Sequence, residues 1–198
     1  MTKPAAESKP WEPRPVSPMG NSREDAIFSA VGQALTEWEQ LENACAQLFA
    51  VLVSANHKRA YLAPAIRAYG TVNSAATRCK MLANAGGAYF AKRKTKAQKH
   101  EADFDDLLKA YSNFASRRND IAHGSVQRVF LTKRGTRPAA LGLYLTPSFY
   151  NPQKFKNEQL SYLYTSNDLI FYRQEFTKLA LRIGGLKEKM QSKRKSSS

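Results

Sequence analysis

Two arginines, an asparagine and a histidine crowd the segment Arg117-Arg118-Asn119-Asp120-Ile121-Ala122-His123-Gly124. A guanidinium is permanently charged and holds a phosphate through two parallel hydrogen bonds. An imidazole accepts or donates a proton near neutral pH. Together they supply the minimum for cutting RNA without a metal. One group takes the proton of the 2′-hydroxyl or returns one to the leaving oxygen, and the other stabilises charge on the phosphorane. Arg118 and His123 are the candidate catalytic pair, Asn119 follows the arginine as a polar support, and Arg117 adds a phosphate contact.

The spacing sets a geometric problem. Arg118 and His123 stand five positions apart, which in an ideal helix is about 140° of rotation and roughly 7.5 Å of rise. They do not share a face, whereas Asn119 and His123 do. Three solutions are open: the long arginine stem reaches around, the helix loosens near Gly124, or a second subunit brings its own copy alongside. Blander roles are open as well. Arg118 lines up with Tyr111 and Ala115, where it would pair with a carboxylate such as Glu37, Glu39 or Glu42, and His123 would cap a helix end.

Other chemistries have less support in the sequence. The two cysteines, Cys45 and Cys79, sit in helix-like apolar patterns and read as reduced core thiols. His57, His100 and His123 are isolated from the cysteines and from each other, so no metal-ligand spacing exists, and no cofactor motif appears. No stretch approaches the ~18 apolar residues of a membrane span, and the prolines near the N-terminus interrupt any secretory apolar run, so the expectation is a cytoplasmic protein. The net charge of +15 favours polyanionic partners.

The elements that must position the motif follow from periodicity. Residues 1–21 hold Pro4, Pro10, Pro13, Pro15 and Pro18 and predict a disordered, extended arm. Ser22 to Asp25 fits a capping box. Phe28, Val31, Leu35, Trp38, Leu41, Cys45, Leu48 and Leu52 then step by three and four, one buried face of a helix to about Ala55. Glu37, Glu39 and Glu42 fall on its solvated side. Pro64 predicts a break or a new first turn, and a second helix spans Val72 to Lys92. A third begins near His100, carries Phe104, Leu108, Tyr111 and Ala115, and runs into the motif, with Gly124 as its C′ stop.

Beyond Gly124 the period changes to two. Val129 and Leu131, a turn-rich Lys133–Pro138, then Leu141, Leu143 and Leu145 predict a β-hairpin over 126–146, with a third short strand around Leu160 to Tyr164. The last helix starts after Ser166 or Asn167 and carries Leu169, Tyr172, Phe176, Leu179, Ile183, Leu186 and Met190. Residues 191–198 form a disordered basic tail. The expected fold is mainly α: one domain over 22–190, a bundle of four to five helices with a small hairpin inserted before the last.

The segment Arg118-Asn119-Asp120-Ile121-Ala122-His123 resembles the RX4-6H motif of the HEPN superfamily, in which a polar residue often follows the arginine. The opening helix, Ala34 to Glu42, is similar to that of bacterial HEPN-like proteins, and the resemblance covers residues 24–190. It implies an all-α bundle acting as a homodimer. It further implies a metal-independent endoribonuclease of toxin–antitoxin or phage-defence type, with Arg118 and His123 of two protomers meeting at a cleft and Asn119 beside them. RNA and a cognate antitoxin or regulatory protein would be its partners. Some HEPN toxins carry a modifiable tyrosine two positions after the histidine; Ser125 stands there, which argues against that control. The alternative is the same bundle without turnover, binding RNA or protein.

Overall fold

A computed structural model describes residues 9–54, 62–91, 98–131, 139–148, 155–156 and 159–195. His57, the basic run at 92–97, the 132–138 turn and the chain ends at 1–8 and 196–198 lie outside the described residues. Five helices appear among those described: α1 (Glu24–Val53), α2 (Leu62–Gly70), α3 (Ala75–Ala91), α4 (Gln98–Ala122) and α5 (Ser166–Lys195). An antiparallel hairpin of β1 (Gly124–Leu131) and β2 (Ala139–Pro147) precedes α5, and a second, minimal one pairs β3 (Phe155–Lys156) with β4 (Gln159–Leu160). The mainly helical fold with an inserted hairpin is therefore as the periodicity predicts. No helix among the described residues is long and apolar enough to cross a membrane.

The region expected to be one domain divides into two compact units, each assembled from separate stretches of chain. One comprises Met1–Leu35 with Arg117–Glu175, the other Thr36–Ser116 with Phe176–Ser198. The second unit is the helical one. Trp38 is buried there, stacked on Tyr111 with ring centroids 5.5 Å apart and edge-on to Phe176 at 5.2 Å. Fully buried leucines such as Leu41 and Leu48 each contribute about 1.5–3 kcal/mol of transfer free energy. Gly86, inside α3, is needed because the Phe104 ring lies where its Cβ would be.

Glu42, expected on a solvated face, is buried in this unit. Its carboxylate takes an ion pair from Arg78 at 3.0 Å and a hydrogen bond from the Tyr111 hydroxyl at 2.9 Å. Arg78 is fixed in turn by donating to the Val72 carbonyl at 2.7 Å. A charge so placed is tolerated only when paired and hydrogen-bonded. Both cysteines are free, and burial pushes the Cys45 thiol well up, which keeps it protonated and inert.

The first unit holds the hairpin, and the proline-rich segment is part of it. From residue 9 onward the expected disordered arm is a turn at Lys9–Glu12 followed by irregular, non-helical chain tied down at several points. The Arg14 amide donates to the Tyr172 hydroxyl at 3.2 Å, and that hydroxyl donates to the Glu12 carbonyl at 2.9 Å. The Arg14 guanidinium lies 4.5 Å over the Phe171 ring and 3.7 Å from Asp168. Gly20 and Asn21 then pair with β2 at Leu141 and Leu143. Proline excludes helix, but it is compatible with an extended strand whose partners supply the hydrogen bonds.

Several local expectations shift by one position. At the start of α1 the buried stripe is Ile27, Ala30 and Ala34, while Phe28 is 55% exposed. Stepping back from Trp38 by threes and fours reaches either stripe, and the one through Ala34, Ala30 and Ile27 is the buried one. The capping box at Ser22 does not form, because Arg23 and the Ala26 amide occupy the Asp25 carboxylate. For α5 the cap is Thr165: its amide and hydroxyl both donate to Asp168, and the Asp168 amide donates back to the Thr165 hydroxyl. That is a reciprocal box one residue earlier than expected. The helix then continues through Gly184 and Gly185 to Lys195, so the expected tail is helical as far as that residue.

Candidate functional site

The motif closes α4 within the first unit, and its charged residues part company there. Arg117 and Asp120, one helical turn apart, face inward. Their side chains are 13% and 1% exposed and form an ion pair at 3.1 Å. The same Arg117 nitrogen donates to the Tyr164 hydroxyl at 3.0 Å, and that hydroxyl donates to the Asp120 carboxylate at 3.4 Å. Tyr162 donates to the Asp120 backbone carbonyl at 2.9 Å and stacks on Tyr164 with centroids 4.6 Å apart. Burial opposes the charge on Arg117, but Tyr164 and Asp120 beside it outweigh that and hold the guanidinium above its ordinary pKa. Burial likewise pushes the Tyr162 and Tyr164 hydroxyls up, so both remain neutral donors.

Tyr162 and Tyr164 reach this position because the chain before α5 is extended. Tyr164 exchanges two backbone hydrogen bonds with Leu145 of β2, at 2.8 and 3.0 Å. Alternate residues of an extended segment point the same way, so the tyrosine two positions earlier joins it. Of the expected third strand around Leu160 to Tyr164, Leu160 closes β4 and Tyr164 makes a single bridge to Leu145. These two tyrosines are the residues that sequence reasoning missed. Their signal was the Tyr-x-Tyr alternation just ahead of a helix cap, which identifies a shared face but not what it covers.

The other motif residues stay accessible. Arg118 is half-buried; its Nη1 donates to the Asn119 side-chain oxygen at 3.3 Å, and its Nε is buried with no hydrogen-bond partner among the described residues. Asn119 and His123 are exposed, and the His123 amide donates to the Asn119 carbonyl at 3.0 Å, completing the last turn. The Ser148 hydroxyl donates to the His123 carbonyl. The structure therefore brings Arg118, Asn119 and His123 to one helix end, while no hydrogen bond joins the guanidinium to the imidazole. Arg117, expected as a phosphate contact, is instead consumed inside. Of the carboxylates suggested as partners for Arg118, Glu42 holds Arg78 and Glu37 accepts from Thr177 at 2.9 Å.

Gly124 is required for a different reason from the one expected. It does not adopt the positive φ of a helix stop; among the described glycines a positive φ belongs to Gly142 of β2, at 121°. Gly124 is already the first residue of β1, and a Cβ there would lie 2.7 Å from Leu145 Cγ and 2.9 Å from the Asp120 carbonyl. Gly124→Ala is expected to cost about 1–3 kcal/mol through overpacking. Urea denaturation checks it, and unchanged stability would show that the helix–hairpin junction is looser than described.

Among the described residues no three His, Cys, Asp or Glu side chains converge as a metal-binding group. A hollow of about 260 Å³ lies along the N-terminal segment between Lys9, Glu12, Arg14 and Phe171, and no motif residue lines it. Compared with protein-family models, curated proteins and solved structures, the chain matches none.

Proposed function

We propose that the chain is a metal-independent endoribonuclease of HEPN type, with Arg118 and His123 acting on one phosphate at a dimer cleft and Asn119 supporting them. The observation that carries the reading is the division of labour at the end of α4. Arg117 and Asp120 are spent on a buried network, while Arg118, Asn119 and His123 remain accessible on a helix end anchored by that network. An accessible guanidinium and imidazole suit in-line attack of a 2′-oxygen. The imidazole takes the 2′-proton or protonates the departing 5′-oxygen, and the guanidinium holds the non-bridging oxygens. The 2′-oxygen–phosphorus bond forms as the phosphorus–5′-oxygen bond breaks, leaving a 2′,3′-cyclic phosphate.

The defining experiment incubates the protein in chelator with an RNA and with DNA of the same sequence. The expected result is RNA fragments ending in cyclic phosphate and untouched DNA. Intact RNA, or equal cutting of both, would remove the proposal. The second reading, a module that binds RNA or protein without turnover, is favoured by the charge: no Asp or Glu occurs between Asp120 and Glu158, whereas Arg128, Lys133, Arg134, Arg137, Lys154 and Lys156 do. It expects salt-dependent RNA affinity without products.

A further inference from the structure

The two sides of β2 are both occupied, and this fixes which groups of β1 are free. Leu143 exchanges both backbone hydrogen bonds with Asn21, each at 2.8 Å, and Leu145 exchanges both with Tyr164. In an antiparallel ladder, successive residues direct their N–H and C=O groups to opposite sides. Gly142, Tyr144 and Thr146 therefore face β1, where their register partners are Val129, Gln127 and Ser125. Val126 and Arg128 must turn their amides and carbonyls the other way. Among the described residues no strand or bridge pairs with that edge.

We infer that the outer edge of β1 receives an extended, acidic polypeptide segment as an added strand. Strand addition uses what the edge offers, a row of backbone donors and acceptors, and takes its specificity from the side chains beside them. Those side chains are one-sided. Arg128 is exposed at the middle of the edge, Phe130 is 52% exposed two residues on, and the chain from residue 121 to 157 contains no carboxylate. A partner strand with a carboxylate opposite Arg128 and an apolar residue opposite Phe130 meets both.

A second copy of this chain fits less well. Antiparallel pairing centred on the edge would set Arg128 against Arg128, and each copy brings a net charge of +15. The exposed arginine at the centre of the edge opposes the pairing of identical edges while it favours a carboxylate-bearing strand. An RNA strand would use the charge but leave the backbone groups unpaired. Because β1 begins at the residue after His123, the added strand ends beside the motif.

Amide hydrogen exchange on the full chain tests this. The probe is a blocked eight-residue peptide of sequence Thr-Glu-Thr-Val-Thr-Glu-Thr-Val, which sets a carboxylate and a valine two positions apart on one face as Arg128 and Phe130 are, and the control carries lysine for glutamate. The glutamate peptide is expected to slow exchange at Val126 and Arg128 by about tenfold or more, and to leave Ser125, Gln127 and Val129, already bonded to β2, unchanged. Arg128→Pro removes the outward amide but no bond to β2, which an edge strand tolerates; it should lower peptide affinity at least about tenfold. Arg128→Thr keeps the amide and should lower it less. No slowing with the glutamate peptide, equal slowing with the lysine peptide, slowing that grows with protein concentration alone, or slowing by an RNA oligonucleotide alone would each overturn the inference. None of these readouts depends on RNA cleavage, so the edge and the nuclease proposal fail separately.

Discussion

His123→Ala is expected to lower RNA cleavage in chelator by about 10²–10⁴-fold, the usual worth of a positioned acid or base. The side chain is exposed and makes no hydrogen bond of its own among the described residues, so stability should change by no more than about 0.5 kcal/mol. The pairing of these two outcomes matters, because a fall in rate with a fall in stability would point to a structural histidine. Arg118→Ala should reduce cleavage as well. If the composite site takes its arginine from one protomer and its histidine from another, the two inactive variants complement each other. Mixed in equal amounts with free exchange, half the dimers are mixed and each mixed dimer has one intact site, so activity returns to about a quarter of wild type. No recovery means that both groups act within one chain, or that neither acts.

The helices and hairpin were legible because the period of the apolar residues changes where the structure changes. Steps of three and four run from Ile27 to Leu52 and from Leu169 to Met190, and a period of two starts at Gly124. What periodicity does not decide is which of two adjacent residues turns inward. Phe28 and Ile27 are both apolar and about 100° apart on the helix; the choice depends on whether the neighbouring elements leave room for a large ring or only for Ala30 and Ala34. The same ambiguity governs the site. Arg117 and Arg118 are chemically identical, and only the acceptors supplied by Asp120 and Tyr164 determine which is buried. Tyr164 lies 47 positions beyond Arg117, so no local pattern contains that information. The proline-rich segment misled for a related reason. Composition excludes helix there, but the hydroxyl and the strand edge that receive it come from the far end of the chain.

The neighbouring arginines should therefore behave oppositely under substitution. Asp120→Ala removes the charge that Arg117 was buried against and takes the acceptor from the Tyr164 hydroxyl, and breaking a buried pair in this way costs about 3–5 kcal/mol. Arg117→Ala should cost a similar amount, because it strands the Asp120 carboxylate. Arg118→Ala should cost under about 1 kcal/mol, since its one side-chain partner, Asn119, is exposed. Urea denaturation of the three variants separates them, with a large drop in midpoint for the first two and little for the third. The double variant Arg117→Met with Asp120→Leu should recover much of the loss, because an apolar pair of similar volume needs no charge compensation. The Tyr162 bond to the backbone carbonyl at position 120 does not depend on the side chain there, so the end of α4 stays anchored. That double variant also exposes what the network contributes to activity. If the buried charges only fix the helix end, cleavage should survive with them replaced; if cleavage is lost while stability returns, the field of Arg117 and Asp120 acts on the accessible residues directly.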